Sequence, residues 1–393
     1  MSQSILIKNG LVLLGEAFKN ADLLLENGKI LEVIEKIDTY SRGSGARLID
    51  AAGKKVIPGF IDIHTHGAIG VDFNLATEAE VQKLSSFFAS QGVSTYLPCI
   101  MTDTPETMKK QLKLLASTET HEGGSRIRGI HLEGPFLSPH YKGAMPERLL
   151  QKCSYDSFKA LQKAAQGKIR LITVSPELEG ALDLITQLKD DGVRISLGHS
   201  GASYEEAMRA IEAGATSATH TMNAMKLLHM HDPAILTAVL ESDIYAEMIC
   251  DGFHLHPPIV RLLLKTKGLE RMIAVSDSTM AAGFPDGEYA LGLNKIVVKD
   301  GDAKLISNGT RAGSTLTMIK ALQNIQKFTG FKLESISKLL SENPARMLGI
   351  FQETGSIAEG KAADLVLLDT HLEVSMTLIG GKVAFEKSSV TGA

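Results

Sequence analysis

Between residues 56 and about 350, apolar runs of strand length alternate with segments whose apolar residues recur at helical spacing, and few folds accommodate that alternation. The strand candidates are 56–64, 94–100, 126–133, 169–175, 194–199, 216–221, 245–251 and 271–277, with helical segments at 77–90, 104–117, 155–165, 179–190, 203–213 and 257–266. Eight strand candidates interleaved with helices indicate an α/β protein built on a (β/α)8 TIM-like barrel. The side chains that act in such a barrel emerge at the carboxyl ends of its strands.

Both ends of the chain read differently. Residues 4–50 contain short apolar runs at 5–7, 11–14, 23–25 and 30–34, the last two joined through Asn27-Gly28, a pair that tolerates the positive φ of a tight hairpin. Ser41 to Gly45 is a loop by composition. The tail returns to strand patterns at 363–369, 373–378 and 383–385. A closed barrel has no edge to receive these strands, so they are expected to pair with those of residues 4–50. The expected organisation is a small β-sandwich domain from 1–57 and 358–393, with the barrel over 58–357.

The polar residues at the strand ends form a pattern. The first strand ends in His64-Thr65-His66, the third at Glu133, the fifth at His199, the sixth at His220 and the eighth at Asp277. Residues two apart on a strand point the same way, so His64 and His66 can converge on one metal ion. Taken alone, two alternating histidines can equally line a half-buried strand face. The set argues for the metal, because imidazole and carboxylate suit zinc and related divalent ions and all six groups leave one end of the barrel. Asp277 can shuttle a proton, bind metal, or do both. His131 is either a partner that orients a ligand or a filler of the barrel interior. Cys99, Cys153 and Cys250 are far apart and lack Cys-x-x-Cys spacing, which indicates neither a disulfide framework nor a thiolate metal site.

Composition excludes other classes. With a net charge of −4 and 22% charged residues, the chain has no basic footprint for nucleic acid. No window approaches the roughly 18 apolar residues of a membrane span, and no signal segment is evident. A reducing cytoplasm fits the cysteine usage.

At these residues the chain resembles the N-acetylglucosamine-6-phosphate deacetylases of the amidohydrolase superfamily. The resemblance rests on Pro-Gly-Phe-Ile-Asp-Ile-His-Thr-His-Gly (58–67), His-Leu-Glu-Gly-Pro-Phe (131–136), Gly-His-Ser (198–200), Thr-His-Thr-Met-Asn-Ala-Met (219–225), Asp-Gly-Phe-His (251–254), Ser-Asp-Ser (276–278) and Ala-Gly-Ser-Thr-Leu-Thr-Met (312–318). It implies hydrolysis of the N-acetyl group of an amino-sugar phosphate in a homodimer. Glu133, His199 and His220 would hold a main divalent ion, zinc first and Fe2+ or another transition metal next. His64 and His66 would admit a second, giving one or two ions per chain. Asp277 matches the catalytic aspartate, and Asn223, the Ala224 backbone and His254 match substrate-binding positions. The fourth strand, 169–175, has no lysine at its end, unlike the hydantoinase and dihydroorotase relatives.

Three positions depart from the family pattern. Met145 stands where histidine or glutamine is usual and cannot donate a hydrogen bond. His231 lies where the family carries an arginine that reaches a neighbouring subunit's phosphate, and Arg311 replaces a leucine beside the substrate. Arg311 either holds the substrate's anion or pairs with a surface carboxylate. Two other readings compete: the same chemistry on another N-acyl substrate, such as N-acetylgalactosamine 6-phosphate or a carboxylate-bearing compound, and a dead barrel used as a binding module.

Overall fold

The computed structural model describes residues 4–35 and 45–388. The loop expected at 41–45 lies outside these residues except for Gly45. Eight parallel strands form the barrel: Phe60–Thr65, Val93–Met101, Ile130–Glu133, Ile169–Val174, Arg194–Leu197, Ser217–Ala218, Tyr245–Ile249 and Met272–Val275. The last strand meets the first where Asp277 N–H donates to the His64 carbonyl at 2.9 Å and His66 N–H to Ser278 at 2.7 Å. Asp62 helps to close this seam by accepting from Ser276 Oγ at 2.5 Å.

Helices follow at the expected places because local signals start them. Thr77 and Ser203 open capping boxes with Glu80 and Glu206, so helices Glu78–Ser90 and Tyr204–Ala213 begin within a residue of their expected starts. The first buries Val81, Leu84 and Phe88 against the barrel core. Among the described residues no helix is long and apolar enough to cross a membrane.

Strands from both chain ends make one eight-stranded sheet with its own apolar core, including Ile7, Leu23, Ile30, Leu365 and Leu378. The hairpin at Asn27-Gly28 has φ of 51° and 79°, as a two-residue turn of this hand requires. Three expectations change. The runs at 5–7 and 11–14 are one strand, Ile5–Leu14, with an irregularity at Asn9, whose φ is 61°. The expected strand 126–133 is interrupted after Arg126–Ile127. The expected strand 56–64 splits at Gly59: Lys55–Pro58 belongs to the chain-end sheet, pairing with Leu365–Leu368, and only Phe60–Thr65 enters the barrel. The reason is local crowding. Gly59 N–H bonds to Asp364 while Phe60 N–H bonds to Gly92, and a Cβ on Gly59 would lie 2.5 Å from Ser94 Oγ. A second addition is a three-stranded antiparallel sheet, Gly287–Leu291, Asn294–Lys299 and Asp302–Leu305, inserted after the last barrel strand.

Candidate metal centre and substrate cavity

His64, His66, Glu133, His199, His220 and Asp277 are all buried and gathered at the carboxyl end of the barrel. The ends of the fifth, sixth and eighth strands are turned sharply to achieve this. His199, His220 and Asp277 have φ of 48°, 28° and 46°, a region that costs a non-glycine residue about 1–3 kcal/mol. Leaving the extended conformation there stops each strand and swings its side chain into the barrel mouth.

The imidazole tautomers follow from their partners. His199 Nδ1 lies 2.8 Å from the Tyr141 carbonyl and His220 Nδ1 3.1 Å from the Asn223 carbonyl. A carbonyl only accepts, so each Nδ1 carries a proton and Nε2 is the ring atom left to face the centre. The two Nε2 atoms are 3.1 Å apart, and Glu133 Oε1 is 3.1 Å from one and 3.2 Å from the other. Three potential ligand atoms thus converge on one point, which a proton or a metal cation can hold together. Nitrogen ligands about 2.0–2.1 Å from a tetrahedral ion sit about 3.4 Å apart, close to this arrangement. The residues present therefore fit a divalent metal.

A second set adjoins the first and shares Glu133. His64 Nδ1 is 3.0 Å from Glu247 Oε2, which leaves Nε2 facing Glu133 Oε1 and Asp277 Oδ1, each at 3.5 Å. His66 Nε2 lies 3.1 Å from Asp277 Oδ1 and 3.4 Å from Glu133 Oε2. Burial alone would push both carboxyls up. For Glu133 the imidazoles of His64, His199 and His220 outweigh it and hold the group well below the usual carboxylate range. For Asp277, His64, His66 and His220 bring the value to about 2. Both are ionised at neutral pH.

Two members of this cluster escaped sequence reasoning. Cys99 has its sulfur within 4.8 Å of ligand atoms of His64, His66 and Glu133. Its signal was position near the end of the second strand rather than cysteine spacing. Glu247 is fully buried in the seventh strand and orients His64, but it sits inside the strand, where a survey of strand ends does not look. His131 Nε2 bonds Thr173 Oγ1 at 2.9 Å, and its ring stands edge-on to His64 with centroids 4.6 Å apart. It buttresses His64 from beneath.

Above the cluster opens a cavity of about 440 Å³. His66, Glu133, His199, His220 and Asp277 reach its floor, and Met145, Asn223, Ala224, His254 and Arg311 contribute to its walls. His231 is not among the lining residues; it lies on an exposed loop beside His229, their rings 5.4 Å apart. His254 Nδ1 is 2.6 Å from Asp251 Oδ2, which turns the opposite ring edge free for a ligand. Arg311 lines the cavity and also forms a two-pronged pair with Asp302, at 2.7 and 2.9 Å. Lys142, which the sequence did not single out, lines the same cavity and makes only a long 3.4 Å contact to the Met145 carbonyl.

Comparison with known proteins agrees with this geometry. Residues 55–389 match the Amidohydrolase family. An N-acetylglucosamine-6-phosphate deacetylase of Bacillus subtilis is 35% identical, with 98% of each chain covered. An N-acetylgalactosamine-6-phosphate deacetylase of Escherichia coli O157:H7 is also 35% identical, over 83% of this chain and 87% of that one. Among solved structures, an aspartate-to-alanine mutant of N-acetyl-D-glucosamine-6-phosphate deacetylase from Mycobacterium smegmatis, in complex with N-acetyl-D-glucosamine-6-phosphate, superposes with a TM-score of 0.88. It is 31% identical, covering 98% of this chain and 99% of that chain.

Proposed function

The chain belongs to the amidohydrolase family, and from that premise we propose that it hydrolyses N-acetylglucosamine 6-phosphate to glucosamine 6-phosphate and acetate. The observation that carries this reading is the Asp277 carboxylate beside a buried set of converging ligand atoms, 3.1 Å from His66 Nε2, on the floor of a cavity large enough for a sugar phosphate. Glu133, His199 and His220 would hold the main ion, and His64 and His66 a second. Zinc suits these ligands best and Fe2+ is also compatible. Bound there, such an ion would supply Lewis acidity, lowering the pKa of a water to about 7 and polarising the amide carbonyl. Asp277 takes the proton from the water as its oxygen adds to the acetyl carbon. It then returns that proton to the nitrogen as the C–N bond breaks, so the amine leaves neutral.

The walls supply recognition. Asn223, the Ala224 backbone and His254 surround the sugar, and Met145 offers only apolar contact. The phosphate meets Lys142 and the outer guanidinium nitrogen of Arg311, whose other nitrogens are held by Asp302. Acetate release from a panel of N-acetylated sugars, with and without 6-phosphate, tests the reading. The phosphorylated glucosamine derivative is expected to be turned over best. The relative that acts on N-acetylgalactosamine 6-phosphate makes that isomer the second candidate. Arg311→Leu is expected to raise KM for the phosphorylated substrate by about tenfold or more, the loss of one charged hydrogen bond of about 1.5–3 kcal/mol. An unchanged KM would remove Arg311 from anion binding, and no acetate release from any N-acetyl sugar would leave a different N-acyl substrate or the dead-barrel reading.

We further assign 1–57 and 358–393 to the β domain and 58–357 to the barrel, a division supported by the eight-stranded sheet that the two chain ends form together and by the apolar cluster within it, although Ile57, Val366 and Leu368 pack into the barrel's core. Three free thiols fit a reducing cytoplasm. A homodimer is supported by the loop around His229 to Pro233, where Leu227, Leu228 and Met230 are exposed. His231 would then act at the neighbouring subunit's site. Sedimentation is expected to give twice the chain mass at micromolar concentration, and a monomer there would count against the dimer.

A further inference from the structure

We propose that the Cys99 thiolate is a ligand of the ion held by His64 and His66, making that position a mixed nitrogen, sulfur and oxygen site with Glu133 shared between the two ions. The inference rests on the metal-dependent reading above. Cys99 lies on the second barrel strand, Val93–Met101, beside His131 of the third in the sheet register. Its sulfur and the ligand atoms of His64, His66 and Glu133 all lie within 4.8 Å of one another, and all four residues are buried.

An independent feature points to a ligand at this spot. His64 is fully buried, and its Nδ1 proton is committed to Glu247. Its Nε2 has no hydrogen-bond partner and faces Glu133 Oε1 and Asp277 Oδ1 at 3.5 Å, beside the cluster that holds the thiol. A buried lone pair without a partner costs about 1–3 kcal/mol, which a metal bond would relieve. The surroundings also separate this cysteine from a packing residue. A buried free cysteine ordinarily behaves as a small hydrophobe, as Cys250 does within the apolar core. Cys99 instead faces imidazoles and a carboxylate.

On loading, the S–H bond breaks, a sulfur–metal bond forms, and the proton leaves to solvent; no electron is transferred. A thiolate is a soft donor and favours zinc, cobalt or ferrous iron over magnesium or calcium. The second position is therefore selective for transition metals in a way that two histidines and a carboxylate alone would be less so.

The test uses the full-length protein stripped of metal and titrated with Co2+, read by metal content and by near-ultraviolet absorption, where sulfur-to-cobalt charge transfer appears. Wild type is expected to take up two ions and develop this band as the second fills. Cys99→Ser should lose the band and weaken the second ion at least tenfold while keeping the ion on Glu133, His199 and His220. Cys153→Ser, at a half-buried position outside the cluster, should retain both. If the Cys99 variant does not fold, the wild-type titration decides alone. Uptake of two ions without the band, uptake of a single ion without it, or persistence of the band in Cys99→Ser would each overturn the proposal. Failure of the deacetylase reading shows differently, as absent acetate release from a protein that binds cobalt and shows the band.

Discussion

Asp277→Asn is expected to fold, to retain at least one metal ion, and to lose about 10²–10⁴-fold in kcat, the range typical of a general acid–base group. The fold should survive because the amide is isosteric and because asparagine, like aspartate, tolerates the left-handed backbone at this position, where φ is 46°. The main-chain bonds that seat residue 277 are unaffected: its N–H donates to His64 at 2.9 Å and its carbonyl accepts from Ser314 at 2.7 Å. The amide cannot accept a proton at neutral pH, so water activation and amine protonation both lose their carrier. Metal analysis together with steady-state kinetics separates the two roles open to Asp277. Full metal content with lost turnover identifies a proton shuttle, and loss of one ion identifies a ligand as well. A variant retaining more than about a tenth of wild-type kcat would contradict the assignment.

Glu133→Gln is expected to have the broadest effect on metal content. Its carboxylate belongs to both ligand groups, with Oε1 near His199 and His220 and Oε2 3.4 Å from His66 Nε2. Removing its charge takes one unit from each ion's compensation and leaves an amide whose NH2 end cannot coordinate. Outer partners of metal ligands are typically worth 10–100-fold in affinity, so loss of a shared direct ligand should exceed about 100-fold for both ions. Competition with a chelator measures this, with kcat/KM falling in proportion at limiting metal. Metal affinity within tenfold of wild type would remove Glu133 from the centre.

The sequence already contained the strand count, the barrel, the pairing of the chain ends and the six polar strand ends. These are legible because they are local: a period of two or of 3.6 residues is written into each segment, and each barrel strand ends at the same face whatever its neighbours are. The helical segments expected from residues 77 and 203 start within a residue of those positions, where capping boxes at Thr77 and Ser203 fix them.

Only the tertiary structure decided matters that depend on who lies across the gap. The run 56–64 reads as one strand, and its switch between sheets at Gly59 comes with contacts to Ser94 and Asp364, which are distant in sequence. The antiparallel insert at 287–305 alternates as a strand should, but its place beside the cavity is set by chain return. For Arg311 the sequence left two partners open, the substrate's anion or a surface carboxylate, and the fold brings Asp302 onto two of its donors while leaving the side chain at the cavity wall. Cys99 and Glu247 carry no motif of their own. They belong to the centre because barrel closure brings the first, second, third and seventh strands within ligand and hydrogen-bond distance, a convergence that one-dimensional spacing does not encode.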